Sequence, residues 1–325
     1  MTMAREMAQS MSGSTTDPAV SFVHPQALMS IRNLELRAKV VVEGFWTGLH
    51  RSPFHGFSVE FTEYRQYSTG DDPRYLDWKL YARSDRFYIK KYEDETNLRC
   101  HLLVDNSRSM HFGTQSYSKH QYANTLAATL AYFLYLQGDA VGLLTFDERI
   151  REYLPARHRT GHLRHLMLAL EKPAEGAATD LASPLRRIVE MTRKRGLMVL
   201  ITDLLTSIET LEASLALLAA SGHEIVLFQV LDPAETNFTF DQTALYEDLE
   251  SGRELYIDPQ LARRDYRKQF AAHLEAVELI CRKLDVVFRR LTTDTPLELA
   301  LFDFVRSRIQ QNKRVRRAGM IRRSR

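Results

Sequence analysis

From residue 98 onwards, short apolar segments alternate with longer helix-like segments, and this alternation constrains the fold more than any other feature. Four nearly continuous apolar runs have the length of strands that are buried on both faces: LRCHLLV (98–104), DAVGLLTF (139–146), GLMVLIT (196–202) and EIVLFQVL (224–231). Each is followed by a segment long enough for a crossover helix. The pattern therefore predicts an α/β fold with a doubly wound, mostly parallel sheet and helices on both of its faces.

The remaining elements of this domain follow from the same reading. Helices are predicted over 119–137, 161–171, 181–195, 207–221 and 258–283, with a last helix beginning near 296. Two further strands are predicted: RIREYL (149–154) at an edge of the sheet, and DVVFRRL (285–291) before the last helix. One segment breaks the rhythm, since ALYEDLESGRELYID predicts a β-hairpin insertion at about 243–258 that turns at Ser251-Gly252.

The rest of the chain divides into three parts by composition. Residues 1–29 are rich in Met, Ser and Thr without periodicity, and we predict a disordered N-terminal extension. Residues 30–97 are predicted to pack on the main domain as a helix over Ile31–Trp46 and two aromatic-rich strands, FSVEFTEYRQY and RFYIKKYEDE. The main domain is assigned to residues 98–311, and residues 312–325 form a basic C-terminal tail.

The basic tail dominates the net charge of the chain. Its last thirteen residues hold seven Lys or Arg and no acid, and subtracting them from the net charge of +3 leaves −4 for the rest. Such a tail is often a solvated end, but it also suits anionic partners, so nucleic-acid binding through it is one alternative function. No segment approaches the roughly 18 apolar residues of a membrane span, and we expect a cytoplasmic protein.

Small polar side chains stand where the predicted strands end. Asp105, Ser107 and Ser109 follow the first strand, Asp203 follows GLMVLIT, and Thr179 lies in the loop before the helix at 181. The carboxyl ends of parallel strands meet at one edge of a sheet, and this set of oxygens suits a hard divalent cation. The hydroxyls could bind the metal directly while the carboxylates act through water. The competing interpretation is capping, which we prefer for Asp180 beside Thr179.

Taken together, D-x-S-x-S, a later Thr and a later strand-end Asp resemble the metal-ion-dependent adhesion site (MIDAS) of von Willebrand factor A domains. The resemblance implies a von Willebrand A-like fold with Mg²⁺ (or Mn²⁺) as the cofactor. It also implies a protein partner that presents an Asp or Glu to the metal. The five residues that it assigns to the metal site are Asp105, Ser107, Ser109, Thr179 and Asp203.

A second resemblance lies upstream. The segment EFTEYRQYSTGDDPRYLDWKLYAR, with the YEDE that follows it, is similar to the hallmark of a bacterial family known as domain of unknown function family fifty-eight. The similarity covers roughly residues 40–305. It implies an adaptor or co-chaperone that works with a MoxR-type AAA+ ATPase in the assembly or maturation of protein complexes. The structural or partner-binding candidates in this segment are Arg65, Asp71, Asp72, Arg74, Asp77, Trp78 and Arg83.

The function expected from these observations is non-catalytic protein binding that depends on a divalent metal. The main alternative is a Rossmann-like, Mg²⁺-dependent phosphohydrolase, since such enzymes also place an Asp at the end of the first strand. They usually carry a second carboxylate two residues later as a general acid, and Ser107 stands at that position. No glycine-rich phosphate loop of the type G-x-x-x-x-G-K-[ST] occurs, which argues against nucleotide binding.

Overall fold

The structure is a computed structural model that describes residues 22–51, 63–66, 88–91, 98–173, 181–192, 194–240, 243–247 and 254–309. The strands, in chain order, are β1 (Glu63–Gln66), β2 (Tyr88–Lys91), β3 (Arg99–Asp105), β4 (Ala140–Phe146), β5 (Ile150–Arg157), β6 (Leu197–Thr202), β7 (Glu224–Leu231), β8 (Ala244–Glu247), β9 (Glu254–Ile257) and β10 (Val287–Thr292). The helices are α1 (Pro25–Met29), α2 (Leu34–Arg51), α3 (Lys119–Leu136), α4 (His162–Leu170), α5 (Ala182–Met191), α6 (Ile208–Ala220), α7 (Pro233–Asn237), α8 (Pro259–Lys283) and α9 (297–309).

The central sheet has six strands in the order β10-β7-β6-β3-β4-β5. All neighbouring pairs are parallel except β4 and β5, which run antiparallel at one edge. The chain runs from β3 outward to β4 and β5 and then returns to β6 on the other side of β3, so the order reverses between β3 and β6 and the first strand of the domain lies at the middle of the sheet. The predicted α/β class and mostly parallel sheet are confirmed, as is the edge position of RIREYL.

The two faces of the sheet carry separate apolar cores because successive strand residues point to opposite sides. On one face, Leu102 and Val104 of β3 belong to a cluster formed with α2, α3 and α9. On the other face, Leu103 packs in a second cluster with residues of α5, α6 and α8. Burial of both faces is the reason that these strands read as nearly continuous apolar runs.

Helix boundaries differ from the predicted ones where a local hydrogen bond sets the end. The helix predicted from Ile31 begins three residues later as α2, because the side chain of Asn33 accepts a hydrogen bond from the backbone N–H of Leu36 at 2.7 Å. The helix predicted to reach residue 195 ends at Met191 as α5. The hairpin insertion is present as the antiparallel pair β8 and β9, and its turn lies outside the described residues.

The N-terminal extension was predicted to be disordered to residue 29, and that boundary is wrong. Residues 25–29 form α1, in which Pro25 occupies the first turn and Leu28 is fully buried in the core. The backbone N–H of Val23 also donates to the buried carboxylate of Glu298 at 3.0 Å. The burial of Leu28, the capping of α1 by His24 and the bond from Val23 to Glu298 all hold this segment, although its composition gave no periodic signal. The rest of the predicted extension, residues 1–21, lies outside the described part of the chain.

No helix in the described part of the chain combines the length and the apolar character that crossing a membrane requires. The division into N-terminal segment, main domain and tail stays a prediction. The antiparallel pairing of β1 with β2 agrees with the two strands expected in the N-terminal segment.

A buried histidine makes the stability of this fold sensitive to acid. His101 on β3 is 6% exposed, and burial, aided by the neighbouring His223, lowers its pKa from 6.5 to about 4. Between these values the unfolded chain takes up a proton that the folded chain excludes, so this contribution to stability is lost as the pH falls from about 6.5 to 4. At 1.36 kcal/mol per pKa unit, the loss amounts to roughly 3 kcal/mol.

We therefore expect urea unfolding at several pH values to show that the free energy of unfolding falls less on acidification in His101→Gln than in the wild-type protein. His165→Gln, on the exposed face of α4, is the control and is expected to follow the wild-type curve. If the free energy of unfolding falls equally with pH in wild type and His101→Gln, the acid sensitivity does not come from His101, whatever the absolute stabilities are.

Candidate functional site

Asp105 ends β3 at the middle of the sheet, with its carboxylate fully buried. One carboxylate oxygen accepts the backbone N–H of Ser107 at 2.8 Å, and the other accepts the hydroxyl of Thr202 at 2.6 Å. The second bond follows from the topology, since β6 lies beside β3 in parallel register and Thr202 is its last residue. Asp105 is therefore fixed in place by both the loop that it begins and the neighbouring strand.

Ser107 and Ser109 bring their hydroxyls together just beyond Asp105. Their Oγ atoms lie 3.1 Å apart, and both residues are buried. Ser107 occupies the N-cap position of a 3₁₀ turn over Arg108–His111, but its side chain makes no capping hydrogen bond. Capping, the simpler interpretation of these two serines, is therefore not what their side chains do in this structure.

Asp203 follows β6 at the same edge of the sheet and contacts a lysine that the sequence reasoning missed. The Nζ atom of Lys119, at the start of α3, lies 2.9 Å from the carboxylate of Asp203 and 2.6 Å from that of Glu235. The Lys119 side chain is fully buried. A lysine in the first turn of a helix is unfavourable for the helix dipole, and here two carboxylates from other segments offset its charge.

Glu235 belongs to α7, which the sequence reasoning also missed. The side chain of Asp232 accepts the backbone N–H of Ala234, and Glu235 reaches back to the backbone N–H of Asp232 at 2.7 Å. Asp232 also accepts both the N–H and the hydroxyl of Thr114. The letters D-P-A-E carry the signature of a capping box, so this short helix could have been found.

Acidic groups outnumber the basic ones in this buried network. Burial, followed by the charge of Asp203, raises the pKa of Asp105 to about 7. Burial opposes the charge of Lys119, but Asp203 and Glu235 outweigh it and raise its pKa. Burial also raises the pKa of Glu235, although Lys119 favours its charged form. Lys119 thus forms ion pairs with two carboxylates, and Asp105 lies close enough to Asp203 for the charge of Asp203 to raise its pKa.

Two histidines border the serine loop. The rings of His111 and His120 stack with their centroids 5.1 Å apart, and the Nε2 atom of His120 lies 3.2 Å from Oδ1 of Asn106. Burial lowers the pKa of His120 to about 4. Asn106 stands between Asp105 and Ser107, so His120 contacts a side chain of the loop that carries the predicted metal ligands.

The structure brings four of the five predicted metal-site residues to one edge of the sheet: Asp105, Ser107, Ser109 and Asp203. Thr179 and its neighbour Asp180 lie outside the described residues, so the complete ligand set stays a prediction. Among the residues that are described, no group of three or more His, Cys, Asp or Glu side chains is arranged to hold a metal ion. A metal at this edge would therefore depend on hydroxyl ligands as well as carboxylates.

The upstream candidates fall almost entirely outside the described chain. The backbone of Arg65 belongs to β1, where it pairs with Ile89 of β2. The structural or partner-binding roles of this segment stay predictions, and the candidates beyond the described residues are Asp71, Asp72, Arg74, Asp77, Trp78 and Arg83.

Comparison with solved structures finds similar chains at low sequence identity. The conserved hypothetical protein BatB from Bacteroides thetaiotaomicron is 15% identical, with a TM-score of 0.45 over 66% of this chain and 99% of its own. The SpRpn10 VWA domain is 11% identical, with a TM-score of 0.39 over 62% of this chain and 92% of its own.

Comparison of sequences identifies closer relatives. The uncharacterized protein Rv1480 of Mycobacterium tuberculosis is 30% identical over 311 residues, which cover 90% of this chain and 97% of that protein. The uncharacterized protein MAV169 of Mycobacterium avium is 31% identical over 154 residues, or 47% of this chain and 89% of that protein. One family model matches residues 63–276. The chain belongs to the family described as Protein of unknown function DUF58.

Proposed function

We propose that this chain is a non-catalytic protein-binding module that requires a divalent cation, Mg²⁺ or Mn²⁺. In this proposal it acts as an adaptor or co-chaperone for a MoxR-type AAA+ ATPase during assembly or maturation of protein complexes. The observation that carries the proposal is the convergence of Asp105, Ser107, Ser109 and Asp203 at the carboxyl edge of the sheet. A partner would complete the metal coordination with an Asp or Glu side chain.

The donor chemistry of this edge fits a divalent cation. Lys119 is the direct counter-ion of Asp203 and Glu235, and Asp105 lies within the electrostatic influence of Asp203, so the buried acids outnumber the buried cation. Buried charge without compensation is costly, and a hard cation with oxygen ligands would offset it. Ser107, Ser109 and Thr179 would hold the metal, with Asp105 and Asp203 orienting ligands or bound water. Bound in this way, the ion would act as a Lewis acid that attracts a carboxylate.

The surroundings of Asp105 favour binding over proton transfer. Both of its oxygens already accept hydrogen bonds from protein donors, and the group is fully buried. Position 107, where a phosphohydrolase would carry its general acid, holds a hydroxyl that does not titrate near neutral pH. These features support a site that holds a partner and performs no hydrolysis.

Calorimetric titration with MgCl₂ or MnCl₂ tests the metal. We expect saturable binding by the wild-type protein and about 10–100-fold weaker binding by Ser107→Ala, because the change removes a predicted ligand oxygen together with its hydrogen bonds to Ser109 and Asp105. Ser221→Ala is the matched control, since Ser221 ends α6 at the opposite end of the sheet. Binding that is equal in wild type and Ser107→Ala, or absent from both, would overturn the metal assignment.

A further inference from the structure

A cleft of about 660 Å³ lies beside the serine loop, with His111 of that loop among its lining residues. Its walls come from the start of α2, the first turns of α3, the end of α4 and His111 of the 3₁₀ turn. The residues of this cleft that carry the argument are Arg32, Arg37, His111, His120, Asn124 and Lys172. We refer to this feature as the basic cleft.

The cleft adjoins the candidate metal site through one hydrogen bond. His120, in the wall of the cleft, contacts Oδ1 of Asn106 at 3.2 Å, and Ser107 is the next residue along the chain. A ligand in the cleft would thus lie beside the loop that carries the predicted metal ligands. The wall of the cleft and the loop of the metal site are thus in contact through His120 and Asn106.

The charges in the cleft favour an anionic ligand. Lys172 is already paired with Glu152 at 2.5 Å, and Glu171 accepts the backbone N–H of Leu34. Arg32, in contrast, is exposed and makes no hydrogen bond or ion pair with any residue that the structure describes. Arg37 donates through Nη1 to Thr125 at 2.8 Å and to the sulfur of Met29 at 3.3 Å, and the carboxylate of Glu171 offsets part of its charge. Its other nitrogens keep donors for a ligand, and Arg32 is the cation of the cleft that no described acid pairs with.

Two buried polar atoms in the cleft wall have no partner in the described part of the chain. The first is Nε of Arg37, a donor, and the second is Oδ1 of Asn124, an acceptor. Asn124 is 7% exposed, and its amide nitrogen is used by the backbone carbonyl of Leu170 at 2.8 Å. Buried polar groups are normally satisfied, so both atoms point to a ligand that offers an acceptor and a donor together.

We propose that the basic cleft binds an acidic peptide segment of the partner protein, next to the carboxylate that the metal binds. A peptide supplies the required pair of groups, since an Asp or Glu side chain accepts from the arginines and a backbone N–H donates to Asn124. This inference rests on the proposed function, because it assigns two adjacent acidic contacts to one partner. It makes the partner motif a short acidic run and not a single carboxylate.

A fluorescein-labelled oligoglutamate peptide tests the cleft by fluorescence anisotropy in MgCl₂. We expect Arg32→Glu and Arg37→Gln to weaken its binding roughly tenfold or more, as expected for loss of a charge-assisted contact. Arg32 has no partner in the described chain, so its replacement leaves the fold intact. Arg264→Glu on α8 is the control, with a side chain that is 92% exposed, and it should bind as wild type does.

A photo-crosslinkable oligoglutamate peptide separates the cleft from the basic tail. Crosslinks to residues 32–37, 111–124 or 170–173 support the cleft, and crosslinks confined to residues 312–325 would overturn it. Unchanged binding by both arginine variants would also overturn it, even if the calorimetry shows metal binding by wild type. Inorganic phosphate that displaces the peptide at lower concentration than free oligoglutamate would overturn the peptide assignment. Loss of peptide binding in the arginine variants, with no metal detected by calorimetry, would leave the cleft standing and the metal assignment refuted.

Discussion

Replacing Lys119 with methionine is expected to lower the free energy of unfolding by about 3–5 kcal/mol, as for other buried charges left without their partner. The Nζ atom of Lys119 contacts Asp203 at 2.9 Å and Glu235 at 2.6 Å with its side chain fully buried. Methionine fills a similar volume without charge, so the change isolates the electrostatic effect from packing. Chemical denaturation in metal-free buffer at neutral pH measures the loss.

Lys39→Met provides the matched control for this experiment. Lys39 forms an ion pair with Glu35 at 3.1 Å on the surface of α2, and its side chain is 40% exposed. Solvent weakens such pairs, so we expect the free energy of unfolding to stay close to the wild-type value. If Lys119→Met is as stable as Lys39→Met, the buried network does not hold these elements together.

A second variant shows whether unpaired charge causes the loss. Adding Glu235→Gln to Lys119→Met removes one of the two carboxylates that lose their counter-ion. We expect the double variant to recover part of the stability that Lys119→Met loses, because one fewer buried charge is left unpaired. If the double variant is less stable than Lys119→Met by the full effect of Glu235→Gln alone, the two residues act independently and the explanation fails.

The central strands and their burial on both faces were predictable, because each strand appears as a short apolar run in the sequence. Both faces of the central strands are covered, so the apolar runs appear directly in the sequence, as in LRCHLLV and GLMVLIT. The positions of Asp105 and Asp203 followed from the same signal, since each comes directly after such a run. Topology then placed both at one edge of the sheet.

The Lys119 network was not predictable because its contacts join residues that are far apart in sequence. Lys119 and Asp203 are separated by 84 positions, and Lys119 and Glu235 by 116. Nothing in a single sequence pairs a lysine on one helix with an aspartate after another strand. The first helix was missed for a similar reason, since Leu28 is buried by elements that follow much later in the chain.

Chelation of divalent metal is expected to weaken the binding of a purified MoxR-type AAA+ ATPase to this chain by at least about tenfold, since the metal would supply the direct contact to a partner carboxylate. Biolayer interferometry in MgCl₂ and in EDTA measures the difference. Ser107→Ala should bind weakly in both buffers, because its hydroxyl is a predicted ligand. The change also removes the hydrogen bonds of this hydroxyl to Ser109 and Asp105, so the stability of the variant is measured alongside its binding.

The same binding measurement distinguishes a metal that contacts the partner from one that only stabilises the fold. If the metal contacts the partner, Ser107→Ala in EDTA should unfold at nearly the same denaturant concentration as the wild-type chain. The variant should nevertheless fail to bind the ATPase. If the metal is structural, EDTA should lower the free energy of unfolding of the wild-type chain, and the loss of partner binding should follow this loss of stability. Ser221→Ala, at the other end of the sheet, should bind and unfold as wild type does in both buffers. Partner binding that is equal in MgCl₂ and EDTA would refute the metal-dependent interaction, because a carboxylate cannot be held by an ion that has been removed.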